Sequence, residues 1–320
     1  MIRQKSDAKK IDVTVVILTK NGADSLQQCL HRIFNQKTTY SYEIICVDSG
    51  STDSTLKFLK KCPVKLFTIP EGEFNHGQTR NFAISKASGQ YIILLSQDAV
   101  PFNEYWMDAL VKTLERDQRI AGVYCRQIPP EDTDPFIKRR TSKSYPQLDI
   151  PQLNFIRDAG SYQRLNPQQK YQLCRFDNVC SCIRKSAWEE LPFTRTEFAA
   201  DLDWAKRVLE RGYQTVYQPQ TSVIHAHNRS VDYEYRRAYF NYRKLDELFQ
   251  LRPRIFPILL FRKLLVSGGG SFYYACRDQG LIKAIRSLKR IYLLCLADVL
   301  AQRQAIKDQR LGRPYKFKGI

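Results

Sequence analysis

Val13-Thr-Val-Val-Ile-Leu-Thr19, followed by Lys20-Asn21-Gly22, is a β-branched, apolar run that stops at a turn-forming triplet. It reads as a buried strand feeding a turn. Next, Leu26, Leu30, Ile33 and Phe34 recur at helical spacing. Residues 43–47 form the second expected strand, 48–53 a polar loop with one glycine, and 55–61 a short helix supplied with Ser, Thr and Asp caps. A third strand is expected at 64–69, a helix at 77–88, a fourth strand at 91–95 and a helix at 103–115. Strands alternating with helices over about 120 residues predict an α/β, doubly wound, mostly parallel sheet. Ligands of such sheets bind beyond the carboxyl ends of the strands, where strand order reverses. Three polar clusters occupy those ends: Thr19-Lys20-Asn21, Asp48 to Asp53, and Ser96-Gln97-Asp98.

Beyond this half the pattern weakens. Residues 129–166 are rich in Pro, Gln, Asp and basic side chains and read as an acceptor loop or a lid. Regular structure is expected again at 176–184, then a helix at 203–211 stopped by Gly212, and short strands at 215–217 and 222–225. From Tyr233 the chain reads as helical, with Gly268-Gly269-Gly270 as a hinge. The expected organisation is a catalytic domain over 1–228, with a nucleotide-binding half (about 11–125) and an acceptor half (126–228), then a basic helical extension over 229–320.

With 320 residues, 43% hydrophobic and 12% aromatic, the chain is globular rather than disordered. The nine cysteines show neither paired C-x-x-C spacing nor a disulfide framework and read as reduced thiols. No apolar stretch reaches the roughly 20 residues of a bilayer span, so the expected location is cytoplasmic, at the membrane's inner face. Net charge is +19, and residues 229–320 hold 20 Lys/Arg against 7 Asp/Glu, which is +13 of it. That block suits an anionic partner such as a phospholipid surface, or is a solvated helical face. Nucleic acid is not the expected partner, because the positive charge avoids the strand ends and no recognition motif is present. A dinucleotide oxidoreductase is disfavoured because no G-x-G-x-x-G follows the first strand.

Four segments carry chemistry. Asp98, after the fourth strand, is placed to hold Mg²⁺ or Mn²⁺ while phosphate oxygens complete the shell, or to cap the next helix. Asp48 is placed to accept hydrogen bonds from a base or ribose, with Ser49 and Ser51 on the same loop, or to close an Asx turn. Phe74-Asn-His76-Gly-Gln-Thr-Arg80-Asn81 sets a histidine and an arginine around a glycine at a helix start, which favours anions. Phe198-Ala-Ala-Asp201-Leu-Asp203-Trp204 offers Asp201 as a general base for a hydroxyl and Asp203 as a cap or ion-pair partner. His225 and His227 share one face at a strand end; further His/Cys partners for zinc are missing from that neighbourhood.

Taken in order, Val15 to Asn21, Ile45 to Ser54, Arg80-Asn81, Gln97-Asp98 and Ala200 to Trp204 resemble family 2 glycosyltransferases with the GT-A fold, from Val13 to about Asn228. The 74–81, 96–101 and 223–227 segments look like the bacterial rhamnosyltransferase branch. The resemblance implies an inverting transfer of L-rhamnose from dTDP-L-rhamnose to a saccharide or polyprenyl-diphosphate-linked acceptor in cell-surface polysaccharide synthesis. It implies Asp201 as base, Asp48 as the base-contacting carboxylate, and Asp98 with His225 on Mg²⁺ or Mn²⁺; with these, Thr19, Lys20, Asn21, Ser49, Ser51, His76, Arg80, Asn81 and Gln97 are expected around the donor. Asp203 and Trp204 are expected near the acceptor. The chain departs from the family pattern twice: the metal motif's first acidic position is Ser96 or Gln97, and Ala200 stands where an acidic residue often precedes the base. A nucleotidyltransferase, which shares the sheet and metal logic, is the rival enzyme reading.

Overall fold

The opening run is the pivot of the sheet. In the computed structural model, which describes residues 10–146, 149–252 and 257–317, β1 (Val13–Thr19) pairs in parallel with β2 (Tyr42–Asp48) on one side and β4 (Tyr91–Ser96) on the other. The charged start of the chain, Gln147-Leu148 and the first residues of the 255–266 apolar run lie outside the described residues. Successive β1 side chains enter different cores. Val13, Val15 and Ile17 pack with Leu26, Cys29, Leu30 and Ile33 of α1 (Ala23–Phe34), whereas Val16 packs with Ile45 and Val47 on the opposite face. Both faces are therefore dry, which is why the run shows no polar alternation. Each of those buried α1 aliphatics contributes about 2 kcal/mol, more than propensity alone gives a 12-residue helix.

The chain moves outward from β1 through β2 and α2 (Thr55–Leu59) to β3 (Lys65–Thr68), which is parallel to β2. It then returns through α3 (His76–Ser85) to β4 on the other side of β1. This reversal puts a crevice beyond Thr19 and Ser96. After β5 (Val100–Pro101) and α4 (Trp106–Glu115) come β6 (Ile120–Ile128), α5 (Pro135–Lys143), β7 (Gln152–Phe155), α6 (Ala159–Arg164) and α7 (Pro167–Leu173). β8 (Cys180–Arg184), α8 (Lys185–Glu190), α9 (Ala200–Glu210) and β9 (Gln214–Ile224) complete the sheet. Its order is β3-β2-β1-β4-β8-β6-β9-β5, with β7 paired to β9. β8 runs antiparallel to both neighbours, so the sheet is mixed where the sequence predicts it mostly parallel.

Several expectations change. The 129–166 stretch is not one loop: it holds α5, β7 and α6, started by the side-chain caps Asp134 and Asp158 at the two helices. The two short strands at 215–217 and 222–225 are one strand, β9, with a register shift against β6 between Cys125 and Arg126. The irregularity hides the period-2 pattern from the sequence. The helix expected from 203 starts at Ala200, because Ala199 in the left-handed region turns the chain into it.

The C-terminal part is helical as expected: α10 (Val231–Phe249), α11 (Pro257–Gln279) and α12 (Leu281–Arg310). Gly268-Gly269-Gly270 is not a hinge but lies within α11. A Cβ on Gly268 would sit 2.6 Å from the Tyr292 ring, and one on Gly270 would sit 2.6 Å from the Arg139 guanidinium. The glycines permit close packing against α12 and α5. Part of the aromatic and basic set of α10 is internal, while Arg236 and Arg237 are exposed: Tyr239 is wholly buried, Arg243 donates to the Arg313 carbonyl, and the Tyr242 hydroxyl donates to Asp298. Arg290 pairs with Asp134 at 2.7 Å. All nine cysteines are free. Among the described residues no helix is long and apolar enough to cross a membrane.

Candidate active site

The carboxyl ends of β1, β2 and β4 are tied together before any ligand is considered. Asp48 is fully buried and accepts four hydrogen bonds: from the Thr19 hydroxyl (3.1 Å), the Gly50 and Ser51 amides (3.0 and 2.9 Å) and the Ser51 hydroxyl (2.5 Å). Its carboxylate thus closes the loop in an Asx-type turn; the expected contact with a nucleobase has no exposed carboxylate surface to use. Ser49 is buried, and its hydroxyl donates to the Thr19 carbonyl. Asn21, at φ 46°, accepts from the Thr52 amide at 2.8 Å, and its own amide donates to Ser51 Oγ. Gln97 spans the crevice with two 3.0 Å bonds, accepting from the Lys20 amide and donating to the Lys20 carbonyl. The Lys20 ammonium pairs with Glu71.

Asp98 follows β4, and the end of β9 brings two imidazoles to it. His225 Nε2 lies 3.3 Å from one carboxylate oxygen and His227 Nε2 2.9 Å from the other. Burial alone would raise the Asp98 pKa, but the hydrogen bonds from His225 and His227 outweigh it and hold the carboxyl well below the usual carboxylate range. One ligand atom from each of the three residues lies within 4.8 Å of the others. A carboxylate with two imidazoles fits a divalent transition ion such as Mn²⁺ better than Mg²⁺, which favours oxygen donors. His227 therefore joins the expected pair of Asp98 and His225. The carboxylate here has two imidazoles as neighbours where the family pattern has a second acidic residue.

Gln127 and Asp177 fix the His225 ring. Gln127 on β6 donates through Nε2 to Asp177, a carboxylate that only accepts, so Gln127 Oε1 must face His225 Nδ1, 2.9 Å away. His225 consequently donates from Nδ1 to Gln127, and Nε2 is the atom turned to Asp98: it donates to the carboxylate when it carries a proton and is the atom available to a metal when it does not. Asp177 also accepts from the Tyr145 hydroxyl at 2.5 Å and the Val179 amide at 2.8 Å. Neither Gln127 nor Asp177 stands out in the sequence, because each lies in or beside a strand without a motif of its own.

Asp201 sits in the first turn of α9, facing a cavity of about 380 Å³ that it shares with His76, Arg80, Asp177 and His225. Its oxygens accept from the Asn178 amide (3.1 Å) and the Leu202 amide (2.9 Å). Burial, with Asp177 adding repulsion, raises its pKa against those bonds and the Arg80 charge. A carboxylate whose proton affinity is raised in this way is a competent general base. Among the described residues Arg80 makes no ion pair, and its one hydrogen bond goes to the His76 carbonyl of its own helix, at 3.4 Å. His76 keeps solvent access at the cavity mouth, yet the surrounding protein and then Arg80 lower its pKa to about 4, favouring the neutral imidazole. The Asn75 side chain caps α3 by accepting from the Gly77 and Gln78 amides. Gly77 lets this helix start approach the Thr194 carbonyl, which a Cβ would meet at 2.3 Å.

Of the expected site residues, His76, Arg80, Asp201 and His225 line this cavity and Asn21, Gln97 and Asp98 the neighbouring crevice, whereas Asn81, Asp203 and Trp204 line neither. Asn81 accepts from Trp188 Nε1 and the Phe193 amide and donates to the Phe193 carbonyl. Trp204 is wholly buried, with its indole donating to the Leu191 carbonyl. Asp203 accepts from the Thr194 hydroxyl and pairs with Arg207 at 3.0 Å. Their work is to hold the 191–196 segment against α3 and α9.

The sequence model of glycosyl transferase family 2 matches residues 14–192, from β1 to just beyond α8. The chain belongs to this family. An O-antigen chain rhamnosyltransferase of Salmonella typhimurium is 29% identical over 231 residues, 71% of this chain and 70% of that protein. One of Salmonella anatum with the same description is 28% identical over 230 residues, 71% and 70%. Among solved structures, a mannosyltransferase from Pyrobaculum calidifontis in complex with GDP-Man and Mn²⁺ superposes with a TM-score of 0.59 at 17% identity, covering 95% of this chain and 89% of that one. S. aureus TarS 1-349, in complex with UDP-GlcNAc, gives 0.53 at 13% identity, covering 96% and 94%. These likenesses establish the GT-A fold, a mixed sheet flanked by helices with helices following at the C-terminus.

Proposed function

We propose that this family 2 glycosyltransferase is an inverting enzyme that moves L-rhamnose from dTDP-L-rhamnose to a hydroxyl of a lipid-linked saccharide in cell-surface polysaccharide synthesis. The observation that carries the reaction type is one cavity in which a carboxylate of raised proton affinity, Asp201, meets an unpaired guanidinium, Arg80, with His225 of the Asp98–His225–His227 cluster on its wall. Asp201 removes the acceptor hydroxyl's proton as the new bond forms. Arg80 and the start of α3 supply positive charge toward the donor's phosphates. Asp98, His225 and His227 would hold Mn²⁺ or Mg²⁺, which when bound offsets charge on the departing nucleoside diphosphate. The Asn21, Ser51 and Gln97 network shapes the donor side of the crevice. The sugar follows from the two rhamnosyltransferase relatives.

The division of labour proposed is donor binding by residues of about 11–125, acceptor binding and base by 126–228, and membrane docking by the 229–320 extension. Support for docking comes from α11 and α12, where exposed Phe261, Leu265, Ile282, Ile285, Leu293 and Leu296 are interleaved with Arg262, Arg286 and Lys289. Such a face suits an anionic bilayer surface, with the enzyme cytoplasmic and peripheral. A thermal-shift screen of nucleotide sugars with and without Mn²⁺ tests the donor. Selective, Mn²⁺-dependent stabilisation by dTDP-rhamnose is expected; equal stabilisation by UDP- and GDP-sugars would remove the rhamnose assignment.

A further inference from the structure

A second cavity, of about 470 Å³, opens from the far side of the Asp201 cavity and shares Tyr145, Arg175, Asp177 and Arg237 with it. It shares no lining residue with the crevice that holds Asn21, Gln97, Asp98 and His227. Asp201 lines only the first of the three spaces, and Gln127, on the wall of this chamber, bonds to His225 of the cluster.

The chamber is cationic. Arg139 and Lys143 reach it from α5, Arg175 from the loop before β8, and Arg237 from α10. Arg140 also lines it but is neutralised by Glu234 at 2.6 Å. Among the described residues none of the other four is in an ion pair. Arg175 donates to the Ser144 carbonyl and lies over the Tyr171 ring at 5.7 Å, while Arg139 lies against Gly270. The nearby Asp177 is engaged by Tyr145, Gln127 and the Val179 amide. Arg237 is crowded by protein and by Arg140, both of which lower its pKa. Four cations without an ion pair among the described residues face one space whose lining carboxylates are Asp177 and Asp298, the latter already accepting from Tyr242. They match a phosphate or diphosphate, whose oxygens take forked hydrogen bonds from guanidinium groups.

We propose that Arg139, Lys143, Arg175 and Arg237 form an acceptor-side subsite for a phosphate or diphosphate group carried by the glycosyl acceptor. This assignment rests on the glycosyl-transfer reading. The subsite holds the acceptor's anionic end while its hydroxyl reaches Asp201, so it selects acceptors by the span between the two. Ser267 and Asp298 of α11 and α12 also line the chamber, which places its opening beside the helices with the exposed apolar side chains.

The probes are farnesyl diphosphate, inorganic pyrophosphate and farnesol, titrated calorimetrically into the full chain with EDTA present to silence the Asp98–His225–His227 cluster. Both diphosphates should bind, and farnesol should not. The R175A/R237A and R139A/K143A doubles should each weaken diphosphate binding at least tenfold, with R237K intermediate because an ammonium lacks the fork. Nucleoside diphosphate affinity, measured separately with Mn²⁺, should stay within twofold and confirm folding. Unchanged diphosphate binding in both doubles, equal loss of nucleoside diphosphate binding, or farnesol binding as well as farnesyl diphosphate would overturn the subsite. Pyrophosphate binding without farnesyl diphosphate binding would overturn the acceptor assignment. A wild type that binds nucleotide sugar but neither diphosphate removes only the subsite, whereas one that binds no nucleotide sugar removes the transferase reading itself.

Discussion

Replacing Gln127 with alanine should loosen the metal cluster without touching a ligand. Gln127 Oε1 takes the proton of His225 Nδ1 at 2.9 Å, and its Nε2 is locked by Asp177. Without it, His225 loses the partner that fixes its tautomer and ring plane, and Nε2 no longer faces Asp98 by default. Outer partners of metal-bound histidines typically contribute 10–100-fold in affinity, which is about 1.4–2.7 kcal/mol. Gln127→Glu should be at least as damaging, because it sets a second carboxylate against Asp177. Mn²⁺ titration by calorimetry, in the presence of nucleoside diphosphate, reads the effect directly, and the melting temperature checks the fold. A Gln127→Ala protein with normal melting and a Mn²⁺ Kd within twofold of wild type would show that Gln127 does not orient His225 for the metal.

Other expectations follow from the same geometry. Asp201→Asn should lower kcat by about 10²–10⁴ while leaving nucleotide Kd within twofold, since the amide keeps the shape and one of the two N–H bonds; steady-state rates with binding titrations check this. The Asp201 pKa is raised in the fold, so its ionisation opposes folding as pH rises through the folded value. The melting advantage of Asp201→Asn over wild type should therefore be larger at pH 7 than below the ordinary carboxylate range, and the acid limb of the wild-type rate should lie above that range. Asp98→Asn should abolish Mn²⁺ stimulation in the rate assay. Gly77→Ala should cost about 1–3 kcal/mol in denaturant unfolding, because its Cβ would meet the Thr194 carbonyl, a backbone atom, at 2.3 Å.

The sequence shows the parallel half of the sheet well because β1, β2 and β4 are dry on both faces and end in polar clusters. It hides β7 and the bulged β9, whose periodicity is broken, and the caps that turn 129–166 into helices. At the site, His-x-His after a strand end was visible as a pair, but its convergence on Asp98 depends on β9 lying beside β5, a long-range pairing. Asp48 shows how a correct position can carry a different role: the strand-end carboxylate is present but spent on its own loop. Trp204 and Asn81 sit in family-like segments yet serve packing, since a motif's residues include those that hold the reacting ones in place. Arg175 and Arg237 are visible only as two among many basic residues until the fold brings them to one chamber.

Product analysis after incubating the protein with dTDP-L-rhamnose, Mn²⁺ and a membrane extract containing lipid-linked saccharides tests the reaction most directly. Release of dTDP with stereochemical inversion at the transferred sugar's anomeric carbon, lost on EDTA treatment and in Asp201→Asn, is expected. Retention of configuration, or release that persists unchanged in Asp201→Asn, would contradict the proposed transfer.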